Sequence, residues 1–158
     1  LYFASKNSIR LPSNSKNSAV TNFRCECPIT SVLDVLGDKW TLVIVKMMLL
    51  EDRRTFKDFT DGDASIATNI LASRLKMLEA HAIVTKNKLP DNKKVNIYRL
   101  TEKGIALGPL LMEIHQWGHT YLRSSHPDMT LPDAMLDDQA GRDAFVRTVQ
   151  EQYRVGGE

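Results

Sequence analysis

The chain has no apolar run near the roughly 20 residues needed to cross a bilayer. The longest candidate, Trp40 to Leu50, contains Lys46 and suits a buried helix. Cysteine is scarce: Cys25 and Cys27 are the only two in 158 residues, too few for a structural disulfide framework. There is no glycine-rich phosphate loop, no Gly-x-Ser-x-Gly elbow and no catalytic triad spacing, so the expected protein is not an enzyme and needs no cofactor. A large charge imbalance is also missing. The net charge of +2 excludes a histone-like polycation, and any role with nucleic acid has to come from where the basic residues sit. With 42% hydrophobic residues the chain can build one compact domain with peripheral additions, expected in the cytoplasm and away from membranes.

Residues 1–22 are rich in Ser and Asn, and their apolar residues show no period, which predicts a flexible tail. Its first residues, Leu1-Tyr-Phe-Ala-Ser5, read as the remnant of an engineered protease-cleavage linker. From Pro28 the pattern turns helical. Proline suits a first helical position, Ile29, Val32, Leu33 and Leu36 share a face, and Gly37 is a natural stop. Asp38 can cap a second helix in which Trp40, Val43, Ile44, Met47 and Leu50 recur at core spacing. Thr55-Phe-Lys-Asp58 has the form of a capping box and predicts a short helix with Phe56 and Phe59 inward, closed by the turn Asp61 to Ser65.

The next helix, about Ala67 to His81, buries Leu71, Leu75 and Leu78 and leaves a small, polar face of Thr68, Asn69, Ala72, Ser73 and Lys76. Short hydrogen-bonding groups near a helix N-terminus suit the major groove, although a solvated face reads the same in isolation. The adjoining segment favours the groove. Ile83 to Leu89 and Val95 to Leu100 read as two strands joined by the loop Pro90 to Lys94. That hairpin carries Lys86, Lys88, Lys93, Lys94 and Arg99 against Asp91, placing positive charge where its tip can meet phosphates. The order of elements describes a winged helix-turn-helix: mainly α, with one small β-hairpin. Thr68, Asn69 and Ser73 are the candidates for base edges, and Lys76, Lys88, Lys93 and Lys94 for the backbone. Arg74 either joins the backbone contacts or braces the domain through a carboxylate.

A last core helix is predicted from Thr101 to about Ser124, with Leu107, Leu110, Leu111, Ile114, Trp117 and Tyr121 on one stripe and a kink at the internal Pro109. After a linker from His126 to Asp133, a helix near Gln139 to Tyr153 lines up Phe145, Val149 and Tyr153. So narrow an apolar stripe either patches its own core or docks on a partner. Cys27 precedes a helix start, where the positive end of the macrodipole favours thiolate. A cap residue is the plainer reading. His115 and His119, four apart on a helix, could share a metal, but the stretch lacks an acidic general base and the histidines flank Trp117, so no metal site is assigned.

The chain resembles the HxlR-type regulators within the MarR-like winged-helix group over roughly Cys27 to Tyr121. The resemblance rests on Cys27-Pro28, Leu33-Asp-Val-Leu-Gly-Asp-Lys-Trp-Thr41, Phe56-Lys-Asp-Phe59, Ile66-Ala-Thr-Asn-Ile-Leu71, Arg74-Leu-Lys-Met-Leu-Glu79, Tyr98-Arg-Leu-Thr-Glu-Lys-Gly104 and Trp117-Gly118. It implies a bacterial, homodimeric regulator of transcription, often a repressor, that reads an inverted repeat in double-stranded DNA. It also implies a dimer built from terminal elements, here Ile114, Trp117 and Tyr121 with Phe145, Val149 and Tyr153, so that residues 23–124 form the DNA-binding domain and 125–158 a dimerising extension. A redox or electrophile-sensing cysteine at Cys27 is implied too, with Cys25 beside it; their short spacing makes a bond across the dimer fit better than a bridge between them. A small-molecule effector between the long helix and the DNA-binding core is the other expectation. One departure from the family pattern is His81-Ala82, where a glycine commonly closes the recognition helix.

Overall fold

The computed structural model describes residues 23–62, 65–126, 128–129 and 139–155. The tail 1–22, part of the turn before Ser65 and most of the linker after His126 lie outside the described residues. The described elements run α1 (Pro28–Leu36), α2 (Thr41–Glu51), α3 (Phe56–Thr60), α4 (Thr68–Ala80), β1 (Val84–Leu89), β2 (Asn92–Leu100), α5 (Glu102–Ile105), α6 (Gly108–Leu122) and α7 (Gln139–Val155). The fold is a winged helix-turn-helix, mainly α with one antiparallel hairpin. No helix among the described residues is long and apolar enough to cross a membrane.

Its core is centred on α2. Ile44, Val45, Met47 and Met48 are fully enclosed by Phe59 of α3, Leu71, Leu75 and Leu78 of α4, and Ile83 and Val84 at the start of the wing. The beginning of α2 is fixed by Asp38: its Oδ1 accepts from the N–H groups of Trp40 (2.9 Å) and Thr41 (3.1 Å), and its Oδ2 accepts from the buried Thr41 hydroxyl. Thr55 and Asp58 form the expected capping box on α3. Arg54 O accepts from Tyr98 N at 2.7 Å and Thr55 bridges Ile97, so the chain entering the helix-turn-helix is stitched to β2. Phe59 and Tyr98 meet edge to face across this seam, with centroids 6.4 Å apart.

Two expectations change, and a third is met with a feature that the sequence does not show. Residues 101–122 form two helices rather than one kinked helix, because the ladder breaks at Leu107 and Pro109 falls in the first turn of α6, where its missing N–H costs nothing. The wing loop is shorter than predicted: β2 starts at Asn92, leaving Pro90-Asp91 as the turn. On α1 only Leu36 is buried, whereas Ile29 is 72% exposed and Val32 and Leu33 are about half exposed. The apolar face predicted for α1 exists, but nothing within the described residues covers it.

The end of α4 closes without its glycine. Ala82 adopts φ 52°, and the N–H groups of Ala82 and Ile83 return to Glu79 O (3.0 Å) and Leu78 O (2.9 Å). A Cβ in this left-handed region costs about 1 kcal/mol. Ala82→Gly is therefore expected to raise the stability by up to about 1 kcal/mol, read as a higher midpoint in chemical denaturation. Close approach demands a glycine at Gly104 instead, since a Cβ there would lie 2.4 Å from Ile83 O. This holds the Thr101-Glu-Lys-Gly104 turn against the root of the wing.

Candidate nucleic-acid interface

Burial of Leu71, Leu75 and Leu78 fixes the rotation of α4 and turns Thr68, Asn69, Ala72, Ser73 and Lys76 to the outside. No side chain caps its N-terminus at Ala67 and no acid occupies its first turn. The first N–H groups of the helix are thus left open to an anion, and the macrodipole adds positive potential there.

The wing reaches the same side. In the hairpin Lys88 faces Asn96 and Leu89 faces Asn92, which leaves residues 93–95 with no counterpart on β1. The irregularity carries the exposed Lys93 and Lys94 at the tip, and Lys94 N is held by Asn92 Oδ1 at 3.1 Å. A cleft between helix-turn-helix and wing is lined by Thr55, Lys57, Thr68, Lys94 and Asn96 among others. Thr68 and Lys94 are therefore brought together. Ser73, Lys76, Lys88 and Lys93 are exposed but do not line that cleft. Lys57 was missed by the sequence reading; its signal is its place between the inward-facing Phe56 and Phe59, which leaves only outward directions for it.

Arg74 takes the bracing role that the sequence left open. Half-buried on α4, its Nη1 donates to Asp38 Oδ2 at 3.4 Å, tying the recognition helix to the start of α2. Burial pushes the Asp38 carboxyl up, but the Thr41 hydroxyl, the Trp40 N–H and the Arg74 charge together hold it below its ordinary value. Lys103 Nζ donates to His81 O at 2.9 Å and so caps the other end of α4.

The remaining candidates separate into two groups. Ile114 (47% exposed), Trp117 (58%) and Tyr121 (65%) stand out from α6, with the two rings 5.5 Å apart. Phe145, Val149 and Tyr153, expected on a partner, instead pack on the chain's own core from α7. The reason is that α7 folds back on α2 and α6, where its stripe finds apolar surface within the same chain. His115 and His119 have no third partner for metal: among the described residues no group of three or more His, Cys, Asp or Glu side chains comes together.

Cys27 stands at the N-cap position of α1 without a side-chain cap hydrogen bond, and the groups that act on its thiol are the backbone N–H and hydroxyl of Thr30 and the N–H of Ile29. These hold the thiol below its ordinary value and favour thiolate. Cys25 is exposed, with its Sγ 3.4 Å from Cys27 N. Pro28 and Ile29 line an apolar groove with Val32, Leu33, Leu110 and Ile114, so Cys27 adjoins the uncovered face of α1 and α6.

A recognition helix with an open N-terminus beside a lysine-tipped wing defines a DNA-binding protein of the winged helix-turn-helix class. Residues 35–126 match the HxlR-like helix-turn-helix family, and the chain belongs to that family. It is similar to the HTH-type transcriptional regulator YodB of Bacillus subtilis, 35% identical over 96 residues that make up 60% of this chain and 85% of YodB. Among solved structures it is similar to the reduced form of YodB (36% identity, TM-score 0.50, covering 61% of this chain and 95% of that one). The quinone-bound form of YodB matches at 33% identity and TM-score 0.50, over 60% of this chain and all of that one. The redox regulator HypR in its oxidized form matches at 31% identity and TM-score 0.53, over 60% and 96%. The protein is a transcriptional regulator.

Proposed function

We propose that the chain acts as a homodimeric repressor that binds an inverted repeat in bacterial DNA and is switched by thiol chemistry at Cys27. The observation that carries the DNA half is the shared cleft of Thr68 at the open end of α4 and Lys94 of the wing. Thr68, Asn69 and Ser73 meet base edges in the major groove; Lys57, Lys76, Lys88, Lys93 and Lys94 meet phosphates. A symmetric partner supplies the second half-site about 34 Å away, one turn of DNA. The face of Ile29, Val32, Leu33, Leu110, Ile114, Trp117 and Tyr121 is what this dimer covers, because exposed apolar surface so continuous is costly in water. Such a protein works in the cytoplasm, where the DNA is.

Cys27 fits the switch on two grounds: its thiol is biased toward thiolate, and it borders the proposed dimer face. The redox and quinone-bound forms of the similar proteins support this reading. Disulfide formation between two Cys27 thiols gives up two protons and two electrons to the oxidant, and an electrophile instead forms a carbon–sulfur bond to the thiolate. Either change re-angles one protomer against the other and spoils the half-site spacing. Cys27→Ser is expected to keep DNA binding in reducing buffer and to lose its response to diamide, measured by fluorescence anisotropy. A Cys27→Ser protein that still releases DNA on diamide treatment excludes this cysteine as the sensor.

A further inference from the structure

The family match ends at residue 126 and α7 starts at Gln139, so this helix is an addition to the shared core. An added amphipathic helix has to bury its apolar stripe, and α7 does so on its own protomer through Phe145, Val146, Val149 and Tyr153. The approach is close: a Cβ on Gly108 would lie 3.2 Å from both Val146 and Gln150.

Three polar contacts of this docking converge. Tyr153 Oη accepts from Leu100 N at 2.8 Å, Gln150 Nε2 donates to Ile105 O at 2.8 Å, and the Arg154 guanidinium pairs with the Glu102 carboxylate at 2.9 Å. All three bonds fall on the stretch Leu100 to Ile105, where β2 leaves the hairpin. On its other side the Tyr153 ring lies 5.1 Å from the Arg54 guanidinium. Arg54 O in turn accepts from Tyr98 N. Tyr153 thus sits between the strand root and the segment that leads into α3.

We infer that α7 braces the wing, with Tyr153 as a positioning residue that sets the hairpin's angle to α4 without touching DNA. A lone two-stranded hairpin is marginal in water, so its direction depends on how its root is held. Leu100 and Asn92 pair with Val84 and Leu89, so root and tip lie five residues of β1 apart, roughly 17 Å at about 3.3 Å per residue. A rotation of about 10° at the root displaces the tip by roughly 3 Å, enough to take a lysine–phosphate hydrogen bond out of range. Leu100 N–H is buried, and the tyrosine hydroxyl is the acceptor that fixes it.

The inference rests on the wing contacting DNA, and a double-mutant cycle separates the two claims. Affinity for operator DNA is measured over a salt series for the wild type, Tyr153→Phe, Lys93→Ala/Lys94→Ala, and the triple variant. Tyr153→Phe is expected to lower the slope of log K against log salt by about 1 to 2, toward that of the lysine variant. In the background without Lys93 and Lys94 it is expected to change slope and affinity by less than half as much, since Lys88 is the one proposed phosphate contact left on the hairpin. If Tyr153→Phe melts below the assay temperature, Gln150→Ala takes its place with the same expected pattern. An unchanged slope, or an equal loss in both backgrounds as general destabilisation gives, overturns the brace while leaving the DNA reading intact. A wild-type slope in the lysine variant overturns the DNA-contacting wing and the brace with it.

Discussion

Replacing Lys93 and Lys94 together with alanine is expected to reduce the slope of log K against log salt by about 1.8, near 0.9 for each phosphate on B-DNA that is no longer neutralised. The two ammonium groups sit at the irregularity of the hairpin, exposed, where residues 93–95 have no counterpart on β1. Backbone contacts carry no sequence information, so affinity falls by the same factor for operator and scrambled DNA. Asn69→Ala is the contrast: it leaves the slope and alters preference among operator variants. Filter binding or anisotropy at four salt concentrations reads both. A wild-type slope in the lysine variant removes the wing from the interface.

The largest stability effect is expected at Asp38. Asp38→Ala removes the cap of α2, leaves the enclosed Thr41 hydroxyl without its acceptor and strips Arg74 of its carboxylate. Loss of a cap costs about 1 kcal/mol. A buried group left unsatisfied costs about 1–3 kcal/mol more. The sum, about 3 kcal/mol, lowers the melting temperature by roughly 10 °C in a domain of this size. Arg74→Ala shares part of this loss and leaves the salt slope unchanged, which distinguishes a brace from a phosphate contact. The pH dependence has a definite sign. The folded Asp38 carboxyl titrates below its ordinary value, so its contribution is present above the unfolded value and is lost as pH falls through the lower folded one. The gap in stability between wild type and Asp38→Asn therefore narrows below about pH 4, the range of an unfolded aspartate. A gap that does not begin to narrow as the pH falls below that range contradicts the charged role.

Local chemistry was legible in the sequence because its signals are short. The capping box of Thr55 and Asp58, the cap at Asp38, the outward face of α4 and the lysines of the hairpin all depend on residues a few positions apart. Pro109 was misplaced for a definite reason: a proline kinks a helix interior and starts a helix equally well, and the break at Leu107 that decides between them comes from packing. Periodicity found the apolar faces of α1 and α7 but could not say what covers them. Among the described residues one stands uncovered, at Ile29, and the other returned to its own core, at Tyr153. Lys57 escaped notice because the cleft that gives it meaning is made by Thr68 and Lys94, from elements far along the chain. Arg74 was left open between two roles, and the position of Asp38 gives it one.

The measurement closest to the central claim is anisotropy with the DNA upstream of the protein's own gene, over a salt series, with scrambled DNA as competitor, before and after treatment with diamide. Tight, salt-sensitive preference for the upstream DNA that is lost on oxidation and restored by dithiothreitol is the expected result. Equal affinity for upstream and scrambled DNA at every salt concentration, in reduced and oxidised protein alike, contradicts a thiol-switched regulator that reads an operator there.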